Sequence, residues 1–504
     1  MAIQQRSKIL GSVQRRNERY LVQDVKDIIT ELNSAGEEGG IGGSAYVYVK
    51  ANGNPIENAT ELQTQYAIAK TMTSQTNIYS YAVSSVVENA GVYTVLFTNP
   101  SNLYEFSFGT NNVIINDSQY TIIVTAMSSS FGMQFTGLPS GVSFTSIAKV
   151  VTENVKVSLV LAPGKYDFQQ QNFVIDHNLV DVVSLTGNAD IILLTNQMII
   201  TANNILVKGI DVFEGTIKIG SSLNNLVVEK CKGQAHSFST INPYENLSST
   251  FNDCVGGFLS FSGPSMVMSG TFNNCIGGDS SFSPFQGTLS GTFNNCIGGG
   301  DSFAPSQGSL SGVFNNCVAK SSSFGSVSGN TFLGGTFNNC VAMYNSFISS
   351  GNYGLFNNCQ AQNLSYILSY GDPTFYNCQG QYRSFNCSSY NTFQGTYIGC
   401  SAGPESFGSN FSVNVNAIFI NCSSEFSSFA GGTDCVFGGT AINCNAQPGS
   451  FGGNSSSSIS TRITGKIINS QILGSNFLGS SFFGTNGELA GCWDTTGFIA
   501  SRTM

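Results

Sequence analysis

The sequence predicts an all-β chain dominated by a right-handed parallel β-helix, with a short N-terminal helical segment and a small inserted β domain. Three observations predict it. The unit GTFNNCIGGDSSF (270–282) returns as GTFNNCIGGGDSF (291–303), GVFNNCVAKSSSF (312–324) and GTFNNCVAMYNSF (335–347). Seven residues after each cysteine slot stands a large apolar group, in an unbroken series from Ile217 and Phe238 through Phe282, Phe303, Phe324 and Phe347 to Phe451 and Phe477. Between these landmarks lie short strand-like runs and Gly/Asn turns, with no room for crossover helices.

Taken in order, residues 1–19 are polar and basic. In 18–32, Leu21, Val25, Ile28 and Leu32 fall at i, i+4, i+7 and i+11, two heptads of an apolar seam. A helix this short is marginal alone. It either lies on the body of its own chain or serves as an oligomerisation and docking segment. The Gly-rich stretch 34–44 then reads as a linker, which closes a first segment at 1–42. Residues 43–72 are expected to hold a short strand at 46–49, a turn at Asn52-Gly53 and a helix over 58–72 with Leu62, Tyr66 and Ala69 on one face.

The stretch 73–153 has strand-like runs at 92–98, 120–125 and 144–151, and expected turns at Asn99-Pro100, 109–112 and 139–141. It reads as the inserted β domain. From 154 to 486 the β-helix is expected. Its first strands fall at 178–185, 191–195, 198–200 and 205–210, and 487–504 departs from the repeat.

Cys231, Cys254, Cys275, Cys296, Cys317, Cys340, Cys359, Cys378, Cys400, Cys422 and Cys444 are 19 to 23 residues apart. One such period is one coil, and coils stack about 4.8 Å apart. Equivalent residues then form ladders: the Phe ladder fills the core, the Cys acts as a small buried hydrophobe, and Asn274, Asn295, Asn316, Asn339, Asn358 and Asn377 can hydrogen-bond from coil to coil. A leucine-rich repeat would need leucines that are absent. Metal binding would want closely paired Cys with His nearby, and the chain has only His177 and His236. Disulfides between stacked Cys are disfavoured by parallel Cβ vectors. Cys387, Cys435 and Cys492 are expected off the ladder, where one could pair with a ladder Cys.

Charged residues make up 10% of the chain, against roughly 25% in an ordinary soluble domain. With a net charge of -9, nothing offsets phosphate repulsion, so nucleic acid is not an expected partner. No run has the roughly 18 apolar residues of a membrane span, and the first twenty residues hold no signal-peptide core. The expectation is synthesis in a cytoplasm without membrane insertion, and no cofactor or metal is called for.

With the helix, LAPGKYDF (161–168) and the coil ladder in hand, the layout resembles the β-helical tail fibres and tailspikes of bacteriophages, more closely phage virion proteins carrying tandem GTFxNCxGGxxSF coils. The likeness covers roughly 45–70 and 155–483. It implies a parallel homotrimer on the virion surface, attached to other virion proteins through 1–42, with a helix capping the first coil. It also implies a rigid fibre or spike used for attachment to a host-surface glycan or protein.

A polysaccharide-degrading tailspike is the main alternative, and a cellular surface adhesin a second. Hydrolysis needs two carboxylates roughly 5–10 Å apart. The nearest match, Asp279 with Asp301, is one position out of register, which on a strand points the two to opposite faces. They read as polar turn residues, so no catalytic residue is assigned. Trp493, the only tryptophan, belongs either to a cap on the last coil or to a receptor-binding tip.

Overall fold

The computed structural model describes residues 45–49, 57–99, 106–128, 132–242, 244–263, 265–305, 307–325, 332–387, 392–408, 413–429, 435–447, 450–451, 462–472, 488–494, 497–498 and 502–503. Leu21, Val25, Ile28, Leu32, the Asn52-Gly53 turn and Phe477 lie outside them. The architecture is all-β: a parallel β-solenoid of about 13 turns, a small closed antiparallel β-barrel and one short helix. Solenoid and barrel fall into separate compact units, the barrel within Gln65–Leu159 and the solenoid from Val160 onward together with Tyr48–Thr64.

The helix spans Thr60–Met72, with Glu61 in its first turn and Lys70 in its last, each facing the helix-dipole end of opposite sign. Leu62, Tyr66 and Ala69 are buried, as their spacing requires.

The barrel is closed by six antiparallel strands, in the order Ser74–Asn89, Val92–Phe97, Gly132–Thr136, Ser118–Ser128, Gly109–Ile115 and Ser146–Asn154. Two hairpins turn on two-residue loops whose residues both have positive φ, Ala90-Gly91 and Asn116-Asp117. That is the turn whose twist matches the flanking strands. The turn expected at 109–112 is therefore corrected: those residues belong to the strand Gly109–Ile115, and the reversal comes at Asn116-Asp117. The Gly/Asn composition misled there. Thr110 is an exposed strand residue, while Asn111 is 1% exposed and holds local backbone. The barrel core includes Tyr93, Val95, Phe97, Phe106, Val113, Ile122, Phe135 and Ile147.

In the solenoid each long-sheet strand from Leu206–Lys208 to Glu488–Ala490 is three residues, an inward-facing centre between outward-facing flanks. Thr271–Asn273 pairs in parallel with Thr292–Asn294, so Thr271 meets Thr292, Phe272 meets Phe293 and Asn273 meets Asn294. The same register continues through Val313–Asn315, Thr336–Asn338 and Leu355–Asn357. A second sheet runs through the residue after each cysteine, as in the bridges Ile276 to Ile297 to Val318. A third runs through Val267–Met268, Thr288–Leu289 and Ser309–Leu310.

The residue before each cysteine makes the corner between the first two sheets. Asn274, Asn295, Asn316 and Asn339 have φ of 54°, 53°, 53° and 52°. Non-glycine residues avoid this left-handed region, and asparagine pays the smallest penalty among them. Hence the Asn-Cys pairs, and the substitution of glycine at Gly399 and Gly491, both at φ 64°. Close packing of coils selects the other small residues. A Cβ on Gly298 would stand 2.4 Å from the Ser302 Cβ, and one on Gly291 would stand 2.2 Å from the Gly270 carbonyl oxygen.

At the C-terminal end the chain reverses. Glu488–Ala490 continues the parallel sheet from Lys466–Ile468 and pairs antiparallel with Arg502–Thr503. Trp493–Asp494 pairs with Gln471 on one side and antiparallel with Gly497–Phe498 on the other. Both edges of the final strands thereby find partners, which limits further strand addition there.

Candidate functional site

The inward residues are structural. Phe282, Phe303, Phe324 and Phe347 are fully buried and stack face to face at 4.8, 5.0 and 4.9 Å between ring centroids. A second column, Phe272, Phe293, Phe314 and Phe337, meets them edge-on at 5.7 to 5.9 Å. Stacked and edge-to-face pairs each add about 0.5–1.5 kcal/mol beyond area burial.

Cys275, Cys296, Cys317 and Cys340 sit in the same core, each donating to the carbonyl oxygen of a Phe one coil and three residues earlier, at 3.2 to 3.4 Å. Burial pushes the Cys275, Cys296 and Cys340 thiols far above the usual range. At the head of the column burial raises Cys231 to about 12. A thiol held protonated is neither nucleophile nor metal ligand. All fourteen cysteines are buried.

Cys492 is corrected: it belongs to the ladder. It follows Ser470 in register and donates to Ile467 O at 3.4 Å and Ala490 O at 3.6 Å, the pair of contacts every ladder cysteine makes. The serine at 470 hides that continuity in the sequence. Cys387 and Cys435 do lie off it; burial, with Cys435 beside it, raises Cys387 to about 12.

Asp279 and Asp301 are both exposed turn residues. Asp279 Oδ1 accepts the Gly300 backbone N–H at 2.8 Å, joining two coils. Asp301, at φ 53°, occupies the left-handed turn position that Ser280 and Ser322 hold in neighbouring coils. Among the described residues no group of three or more His, Cys, Asp and Glu could hold a metal. His177 accepts from Leu179 N, and His236 packs edge-on to Phe258. Trp493 lies in a short terminal strand, next to Cys492.

What the structure assembles instead is a surface of four parallel rows that wraps around the corner between the first two sheets. One row is Thr250, Thr271, Thr292, Val313 and Thr336. The next is Asn252, Asn273, Asn294, Asn315, Asn338 and Asn357, each amide donating to the Oδ1 of the one before at 2.7 to 2.8 Å. Beside it Asn274, Asn295, Asn316 and Asn339 form a second amide ladder at 2.9 to 3.1 Å, starting from Asp253.

The fourth row is aliphatic: Ile276, Ile297, Val318 and Val341 are 40 to 46% exposed. An amide has two donor hydrogens and two acceptor lone pairs, and the ladder engages one of each, so every rung keeps a donor and an acceptor for solvent or ligand.

The Asn252 row is preceded by the ion pair Lys208 to Glu229 at 2.9 Å, and the Thr250 row is followed by Lys466 to Glu488 at 3.1 Å. Their described positions from Thr250 to Ile442 carry no charge. The outer amide ladder was legible in the repeated Asn before Cys. The inner ladder and the threonine row were not singled out, although the T-F-N alternation, polar-in-polar, is their signal.

No family model matches the sequence, and no curated protein matches it. Among solved structures the chain is similar to the catalytic domain of a GH87 alpha-1,3-glucanase in complex with tetrasaccharides, at 9% identity and a TM-score of 0.22, covering 84% of this chain and 98% of that one. A likeness at that score carries no argument about activity. Among the described residues, no helix is long and apolar enough to cross a membrane.

Proposed function

We propose that the solenoid is a rigid structural rod of a phage fibre or spike, and that its Thr–Asn–Asn–aliphatic face attaches to a neutral host-surface polysaccharide. The observation that carries this reading is the in-register amide pair at Asn294 and Asn295, repeated in successive coils beside the exposed Ile297 row. Hydroxyls and amides in fixed orientation suit the hydroxyl groups of a sugar, and the aliphatic row suits its apolar ring faces. A coil spacing of about 4.8 Å is of the order of one sugar of an extended glycan. Because the donors are already held by the ladder, little side-chain entropy is lost on binding.

In this reading the chain forms a parallel homotrimer, joins the particle through residues 1–42, and does no chemistry on the glycan. Support for a non-catalytic role is the engagement of Asp279 by a backbone N–H and the turn geometry of Asp301. The test is retention of host envelope polysaccharide on immobilised protein, with an assay for new reducing ends in the same tube. Binding without release is expected. Steady release of oligosaccharide favours the depolymerase alternative and removes this reading.

A further inference from the structure

Lys149 is out of place. It belongs to the barrel strand Ser146–Asn154, on the same inward face as Ile147, and only 9% of it is exposed. It pairs in register with Val113, and two residues along that neighbouring strand, on the same face, lies Asn111, 1% exposed. Lys149 Nζ donates to Asn111 Oδ1 at 2.7 Å, and lies 5.9 Å from the centre of the Phe106 ring.

The asparagine amide is held at every polar atom. Nδ2 donates to Ser107 O at 2.7 Å and to Gly109 O at 2.9 Å, and Oδ1 also accepts from Ser107 N at 3.3 Å. A primary amine thus stands beside an immobilised carboxamide, within a core that includes Phe106 and Val113.

We propose that Lys149 and Asn111 join in an intramolecular amide cross-link between the two barrel strands. Nζ, as the neutral amine, attacks Asn111 Cγ, and the Nζ–Cγ bond forms. One Nζ proton passes to Nδ2, the Cγ–Nδ2 bond breaks, and ammonia leaves. No oxidant or cofactor enters the balance. The contacts suit the step. Ser107 N–H remains on the oxygen where charge develops, the carbonyls of Ser107 and Gly109 hold the departing nitrogen in one orientation, and removal from water favours the neutral form of an amine. Fixed proximity supplies much of what an uncatalysed amide exchange lacks.

The cross-link would tie Gly109–Ile115 to Ser146–Asn154 covalently, next to the two-strand contact at Val113 and Ile114. The experiment is peptide mapping and intact mass of the purified full chain, which requires no variant to fold. The expected result is a branched peptide joining Lys149 to Asn111 and a mass lower than the sequence mass by one ammonia. Ordinary deamidation raises the mass instead. Asn111→Ala and Lys149→Arg chains should show no such loss. Linear peptides carrying unmodified Lys149 and Asn111, in protein whose barrel is folded, would overturn the proposal.

Discussion

Phe282 and Phe303 stack with their ring centroids 4.8 Å apart and their planes 2° from parallel, while both backbones sit in the left-handed region at φ 51°. An aromatic residue in that region is an outlier costing about 1–2 kcal/mol. Full burial of a phenylalanine returns up to about 3 kcal/mol, and the stacked and edge-on neighbours add about 0.5–1.5 kcal/mol each. The stack wins, so from Phe238 to Phe451 the turn keeps an aromatic residue instead of a glycine.

This balance predicts an unusual order of variants. Phe303→Ala should destabilise the folded chain by about 3–5 kcal/mol. Phe303→Gly should be no worse than Phe303→Ala, because glycine adopts positive φ without penalty. Denaturant unfolding of the two variants checks this. A glycine variant clearly less stable than the alanine variant would refute the strain at this position.

The corner asparagine gives a complementary case. Asn295→Gly should keep the turn and lose the two ladder bonds to Asn274 and Asn316. Asn295→Ala should lose the same bonds and also carry about 1–2 kcal/mol of left-handed strain. The difference in unfolding free energy between the two variants measures the strain less the extra backbone entropy that glycine gives the unfolded chain.

The thiol column predicts a loss of stability in alkali. Burial raises the Cys231 thiol above its ordinary value to about 12, so the folded state binds the proton more tightly. Stability from this group is fully present below pH 9 and falls as the pH rises from about 9 to 12, since the unfolded state sheds protons first. Thermal unfolding midpoints should drop across that window, and Cys231→Ala should flatten the drop. A native chain at pH 8 should also resist alkylation at all its cysteines, with fourteen modified only after denaturation.

Glu88 gives the opposite sign within the barrel. Hydrogen bonds from Ser140 Oγ, the Gly141 N–H and Tyr93 hold its carboxyl below the ordinary value. The stability that results is present above the unfolded pKa and is lost as the pH falls through the folded one. Glu88→Gln should therefore reduce the acid sensitivity of the barrel, read by following its tyrosine fluorescence as the pH falls below 5.

Much of the solenoid was legible because insertions fall outside the segment from cysteine to phenylalanine. The spacing between Cys296 and Phe303 therefore survives from coil to coil. Left-handed backbone was not legible at Phe303, since nothing in residue type announces an aromatic at positive φ; at Asn295 the residue type was itself the clue. Cys492 was missed because Ser470 interrupts the ladder one coil earlier.

In the barrel, the strand Ser74–Asn89 hid behind its serines and asparagines: half-buried and exposed positions alternate from Asn77 to Val83, but none of its residues is fully buried, so its hydrophobic pattern is weak. Lys149 and Asn111 were invisible as a pair, because only the register between their strands brings them together. The four-row surface is a mixed case: the amide ladder before the cysteines was legible in the repeat, and the parallel register adds the inner amide row and the threonine row.

The most direct test of the account is binding of the full chain to purified host polysaccharide, compared with a chain carrying Ile276→Asp, Ile297→Asp and Val318→Asp. These three positions are exposed, so the solenoid should fold in both, as circular dichroism can verify. The parent chain should retain polysaccharide without releasing oligosaccharides, and the triple variant should lose at least about tenfold in retention. Equal retention by the two chains, or turnover of the polysaccharide by the parent, would contradict this reading.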